Sequence, residues 1–364
     1  MLQFRLLKGQ RRPALILSIL LLKNKIPHAL IFTGIEGVGK KTAAKIFAMA
    51  CNCKSNNLQE LIRLKVLGNS YRKFDKGQLE AVEPCGKCKS CRKILSGNHP
   101  DVVYIEPSGH AIKIDQIRLL SNDLAMRPYE ARLRVVIIDG AQYMNSEGSN
   151  ALLKLLEEPP DKTILILIVP KAVDLFSTIS SRCQQVRFNP ILQKEIKNLL
   201  FEKHGLNSDM ANLISVLANG SYSKAIAMID HTKDKINLIN YRNWVINVFD
   251  QYLCEVNQKK MQPAWQIRRL LVFASKLSES KKLLLDAMEI ISLWLRDIII
   301  YNYCSEKVVN KDYIDKIKDA SDKIEVKSLL LMVEAVQTAM KNIQKNANVK
   351  LTIEILLIRL IKVL

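Results

Sequence analysis

The chain has 364 residues, 48% of them hydrophobic and 25% charged, which excludes a disordered protein and leaves room for two or three domains around sizeable cores. Its 55 Lys and Arg against 35 Asp and Glu give a formal charge of +20, a balance that suits anionic partners, nucleic acid first, and equally a lysine-rich solvated surface. No stretch reaches the ~18 to 20 apolar residues that cross a bilayer and the start lacks a signal peptide's apolar core, so a cytoplasmic protein with reduced cysteines and no membrane partner is expected.

The first stretch that carries chemistry is Gly34-Ile-Glu-Gly37-Val-Gly39-Lys40-Lys41-Thr42. It follows the apolar run 28–33, read as a strand, and precedes 43–50, read as a helix. Strand, glycine loop and helix start in that order cradle phosphate: loop N–H groups turn inward, the helix start adds a positive dipole end, and Lys40 is predicted to reach the terminal phosphates of ATP or ADP. The next position departs from the pattern. A Ser or Thr hydroxyl belongs there to hold magnesium, but Lys41 occupies it, and the Thr42 hydroxyl comes one residue late, rotated about 100° around the helix. An impaired magnesium site is the expectation.

Cysteines cluster next. Cys85, Cys88 and Cys91 stand at two-residue gaps, a spacing that aims three thiols at one point, and either Cys51 or Cys53 supplies the fourth ligand of a tetrahedral, structural zinc site. His99 is a fallback ligand. Residues 54–84, polar and lysine-rich, read as a surface insertion.

Beyond the cysteines the chain alternates. Residues 102–105 read as a strand, 113–124 as a helix with Ile114, Ile117, Leu120 and Leu124 on one face, and 134–139 as a buried strand. Asp139 ends that strand as a magnesium-orienting carboxylate does, but Gly140 follows where a hydrolysing enzyme of this class places a glutamate base. A helix capped near Asn145 runs to Glu157, the continuous apolar run 163–169 reads as a central strand, a short helix ends at Ser181-Arg182-Cys183, and 184–188 makes the last strand. The prediction is an α/β fold with a five-stranded parallel sheet. After Pro190 the pattern is helical, with amphipathic segments at 236–253, 265–277, 281–303, 326–340 and 351–364.

In that order, Lys25 to Gly34, the cysteine cluster, Gly97-Asn-His-Pro-Asp101, Asn150 to Pro160, Ser181-Arg182-Cys183 and Asn219 to Ala225 make the chain similar to the bacterial clamp-loader family of AAA+ proteins. The resemblance implies an AAA+ α/β domain over 1–190 with a zinc-binding insertion at 53–91, a small helical lid over 191–232, and an all-α collar over 233–364. It puts the first zinc ligand on Cys53, leaving Cys51 as a buried thiol. It also exposes missing chemistry: the polar sensor after the central strand is Val169 or Pro170, and Ser223 stands where an arginine touches the γ-phosphate.

On the residues alone, Arg182 is a helix-end arginine satisfying carbonyls. The resemblance makes it an arginine finger, projecting into a neighbouring subunit's nucleotide site. The expectation is a subunit with no ATPase activity of its own that works in clamp loading during DNA replication. Its implied partners are gamma or tau ATPase subunits, the delta subunit, and, through the complex, the sliding clamp and primer-template DNA. Two other readings stand beside it: an active gamma- or tau-type ATPase, and a DNA-binding zinc module on an AAA+ scaffold.

Overall fold

The computed structural model describes residues 2–55, 82–109, 111–229, 238–257, 281–345 and 347–363. Most of the predicted 54–84 insertion and the amphipathic segment 265–277 lie outside the described residues. By packing, the chain falls into two units, Met1–Glu195 with Gly220–Ser223, and Ile196–Asn219 with Lys224–Leu364.

In the first unit, helix α1 (Arg11–Leu22) leads to strand β1 (Ala29–Thr33), the glycine loop and α2 (Lys40–Asn52). Then come α3 (Lys89–Ser96), β2 (Val102–Ile105), α4 (Ile114–Leu124), β3 (Arg134–Asp139), α5 (Ser146–Glu157), β4 (Thr163–Val169), the single-turn α6 (Ser177–Ser180) and β5 (Gln184–Arg187). The strands form the expected five-stranded parallel sheet, in the order β2-β3-β4-β1-β5.

Parallel neighbours need crossover helices, and these cover both faces of the sheet, which is why β1, β3 and β4 are apolar without alternation. Phe32, Val135 and Ile166 pack with Leu21, Phe47 and Ile94 on one face, while Ile31, Val136 and Leu167 pack with Ile117, Leu120 and Leu152 on the other. Edge strand β5 is exposed at Gln184 and Gln185 and buries Val186. Asn145 caps α5 as predicted, its side chain accepting from the Gly148 N–H at 2.8 Å.

A parallel sheet brings the carboxyl ends of its strands to one edge. Gly34 follows β1 there, Glu106 follows β2, Asp139 closes β3 and Pro170 follows β4.

Among the described residues, the regular elements of the second unit are all helices: most of α7 (Gln193–His204), then α8 (Ser208–Leu217), most of α9 (Tyr222–Ile229), α10 (Leu238–Asn257), α11 (Lys281–Tyr301), α12 (Ile314–Lys323), α13 (Val326–Gln344) and α14 (Val349–Val363). Phe249, Trp294, Leu329 and Leu356 are among its buried side chains. The buried Arg242 donates to both carboxylate oxygens of Asp312 at 2.8 Å, and Asn310 donates to the fully buried Asp297 at 2.7 Å. Such a network is tolerated in a core because its members satisfy one another.

Asp101, from the Gly97–Asp101 motif, locks the approach to β3. Its buried carboxylate accepts N–H bonds from Tyr129, Glu130 and Ala131, each at 2.8 Å, and lies 3.5 Å from the Arg134 guanidinium. Burial alone would raise its pKa, but the three N–H donors and Arg134 outweigh that and hold it below the usual aspartate value. A depressed folded-state pKa contributes stability above the unfolded value of about 3.9 that is lost as pH falls below it. Asp101→Ala is expected to destabilise the first unit by roughly 3 to 5 kcal/mol and to flatten the acid limb of stability against pH, both measured by denaturant titration.

Candidate functional site

Two assemblies, at opposite ends of α2, use the first unit's framework. At the sheet edge, the loop after β1 turns through Gly34 (φ 144°), Gly37 (φ 82°) and Gly39 (φ 100°), backbone values that side chains avoid. Gly34 N–H donates to the Pro170 carbonyl at 3.0 Å, and Ser223 N–H donates to the Gly37 carbonyl at 3.3 Å. A Cβ on Gly37 would collide with the Ser221 and Ser223 side chains, so this loop and the Gly220–Ser223 segment require glycine at their contact.

Gly39 caps α2, and the helix then presents two lysines in succession. Lys40, 8% exposed, donates to the Gly34 carbonyl and, at 2.8 Å, to the Ile35 carbonyl. Burial pulls its ammonium below the ordinary lysine value, against the charges of Asp139 and Glu36. Lys41 turns the other way. Its ammonium is ion-paired to Glu106 and lies 3.6 Å from Asp139 Oδ2. Burial lowers its pKa, but the bond to Glu106 and the charge of Asp139 more than offset this, so it titrates above the ordinary value. Thr42 is half-buried in the first turn.

The other expected hydrolytic positions carry no suitable group. Gly140 sits at φ 73°, Val169 is buried opposite Thr33, and Ser223 abuts the loop. Glu106 escaped the sequence reading. Its signal was the pattern itself, since an acid ends the run Val102 to Ile105 as Asp139 ends β3.

The second assembly is the cysteine cluster. Cys53 caps the far end of α2, Cys88 caps α3, and the Sγ atoms of Cys53, Cys85, Cys88 and Cys91 lie within 4.8 Å of one another. A zinc ion with ~2.3 Å bonds holds four sulfurs on the order of 3.8 Å apart, so slight closure would complete a tetrahedron. Backbone N–H groups already point at the sulfurs: Cys85 N to Cys53 Sγ at 3.4 Å, Cys88 N to Cys85 Sγ at 3.3 Å and Cys91 N to Cys88 Sγ at 3.5 Å. Such donors orient thiolates and spread their charge. A hydrogen bond from Cys91 draws Cys53 down to about 4 and pushes Cys91 up.

Cys51 stands outside the cluster, and burial pushes its thiol up to about 12. His99 is not brought to the sulfurs either. It is buried, with Nε2 3.3 Å from Ser90 Oγ and Nδ1 accepting from Asp101 N–H at 3.2 Å, so its work is structural.

Arg182 lies beyond α6 at the surface, its side chain 39% exposed. It donates to the Thr178 carbonyl at 3.0 Å, the helix-end role read from the residues alone, and reaches Glu157 Oε1 at 2.9 Å. Glu157 was read only as the end of a helix; a partner 25 positions away leaves no local pattern.

Two family models match the chain: "DNA polymerase III, delta subunit" over residues 71–192, and "DNA polymerase III, delta subunit, C terminal" over residues 259–362. The chain belongs to the bacterial DNA polymerase III clamp-loader family. Among relatives, this clamp-loader chain is 27% identical to the delta' subunit of Bacillus subtilis, over 93% of its own length and 92% of that protein's. It is 30% identical to the gamma subunit of Buchnera aphidicola from Schizaphis graminum, over 65% of its length, and spans 63% of that subunit. It spans 60% of the tau subunit of Bacillus subtilis. Of solved structures, a gamma subunit-related protein of Thermotoga maritima covers 96% of the chain at 20% identity and a TM-score of 0.40, a likeness that adds nothing to the strand order above. No helix among the described residues is long and apolar enough to cross a membrane.

The geometry separates Cys53 from Cys51 by experiment. Zinc analysis of purified protein is expected to find about one ion per chain in the wild type and in Cys51→Ser, and a small fraction of that in Cys53→Ser. Chelation is expected to lower the melting temperature of the wild type and of Cys51→Ser, and to leave that of Cys53→Ser nearly unchanged.

Proposed function

We propose that this chain is a clamp-loader subunit of the delta-prime kind, which hydrolyses no ATP and lends Arg182 to the nucleotide site of a neighbouring ATPase subunit. The observation that carries the reading is a contrast within one molecule. Lys41, Gly140, Val169 or Pro170, and Ser223 fill the positions that would hold magnesium, polarise water, sense the γ-phosphate and contact it. Arg182, by contrast, remains at the surface. Phosphoryl transfer gets most of its acceleration from positioned charges, so four missing contributors leave little of it.

The finger needs a guanidinium that can leave its resting partners. Glu157 is 53% exposed, and an exposed ion pair of this kind contributes about 1 kcal/mol or less, so a neighbour's γ-phosphate can displace it. The match over nearly the whole Bacillus delta' subunit, set against partial coverage of tau and gamma, favours the delta-prime assignment.

In this reading residues 1–190 form the AAA+ domain, 191–232 the lid and 233–364 the collar that joins gamma or tau and delta subunits. Zinc at Cys53, Cys85, Cys88 and Cys91 is structural, and the clamp and primer-template DNA are reached through the complex. The similarity to gamma and tau subunits favours one competing reading, an active motor. The isolated chain is expected to show no DNA-stimulated ATP turnover, and measurable turnover would mean the motor. In a loader reconstituted with its ATPase subunits, Arg182→Ala is expected to reduce turnover at the site it completes by on the order of 10³-fold with assembly intact. Unchanged turnover removes the finger.

A further inference from the structure

Lys40 and Lys41 are neighbours in sequence, lie about 100° apart around α2, and have opposite kinds of partner. Lys40 is buried and its ammonium is held by two loop carbonyls; among the described residues no carboxylate lies within ion-pair distance of it. A buried cation with carbonyl dipoles for company is under-neutralised, and a phosphate in the loop would complete it. Lys41 is already complete. The carboxylates at the ends of β2 and β3, Glu106 and Asp139, form the acidic pair on which a divalent ion would sit, and the Lys41 ammonium occupies it.

Magnesium does not fit these residues. It needs near-octahedral oxygen ligation, and here it would find no hydroxyl from position 41 and a fixed positive charge in its place. We propose that Lys41 is a built-in counter-cation, and that the loop takes the phosphates of a nucleoside di- or triphosphate without a divalent ion. The inference rests on reading Gly34 to Lys40 as a phosphate loop in a non-hydrolysing subunit. It adds that nucleotide serves there as a bound, metal-free ligand. Lys40 and the helix start meet the phosphates, and the Lys41 ammonium keeps Glu106 and Asp139 from repelling them.

Calorimetric titration of the full chain with ADP and with ATP, in magnesium and in EDTA at matched ionic strength, tests this. The dissociation constant is expected to agree within about twofold between the two conditions, whereas Lys41→Thr is expected to bind at least about tenfold tighter in magnesium than in EDTA. Lys40→Met is expected to lose binding in both conditions while keeping its zinc, which shows that the variant is folded. Magnesium-dependent binding by the wild-type chain, absence of binding by it in both conditions, or a Lys41→Thr variant indifferent to magnesium would each overturn the proposal. None of these outcomes touches the finger, which is read from turnover at a different subunit's site.

Discussion

Two carboxylates at the ends of neighbouring strands repel one another unless a cation lies between them, and in this chain the cation is covalently attached. Strands β2 and β3 are paired in parallel, so Glu106 and Asp139 are carried to the same edge of the sheet. Helix α2 delivers Lys41 to both. An ammonium can neutralise the pair, but it cannot bridge phosphate oxygens or lower the barrier to their transfer as a metal does. The ammonium that settles the charge at the sheet edge therefore brings none of a metal's chemistry with it.

The other positions around the loop make structural contacts. Val169 is buried in the sheet opposite Thr33, Pro170 offers a carbonyl to Gly34, and Ser223 ties its segment to Gly37. These positions knit the loop to the framework. Arg182 has no such job. Its two partners are an exposed glutamate and a helix-end carbonyl, both weak holds on a guanidinium.

Much of this was legible in the sequence because it is local. The apolar runs of β1, β3 and β4 announce strands buried on both faces, Asn145 announces a cap, and a glycine loop between strand and helix announces its own geometry. The two-residue gaps of Cys85, Cys88 and Cys91 specify a turn, although the choice of Cys53 over Cys51 needed the resemblance. Long-range partnerships left no trace. Glu106 meets Lys41 across 65 positions and Glu157 meets Arg182 across 25, and neither spacing repeats. Helix α12 went unread because its polar sequence buries little beyond Ile317 and Ala320, and α1 because the stretch from Ala14 to Leu22, apolar except at Ser18, carries no period.

Helix α2 has the glycine loop at its first residue and a sulfur of the cysteine cluster just past its last. Thirteen residues at 1.5 Å each make a rod about 20 Å long, buried along most of its length and pinned at both tips. The glycine loop and the cysteine cluster therefore share one buried element, and a change of angle in that helix moves both. A crosslink through the sulfurs would hold the far tip of the helix whose near tip carries the glycines.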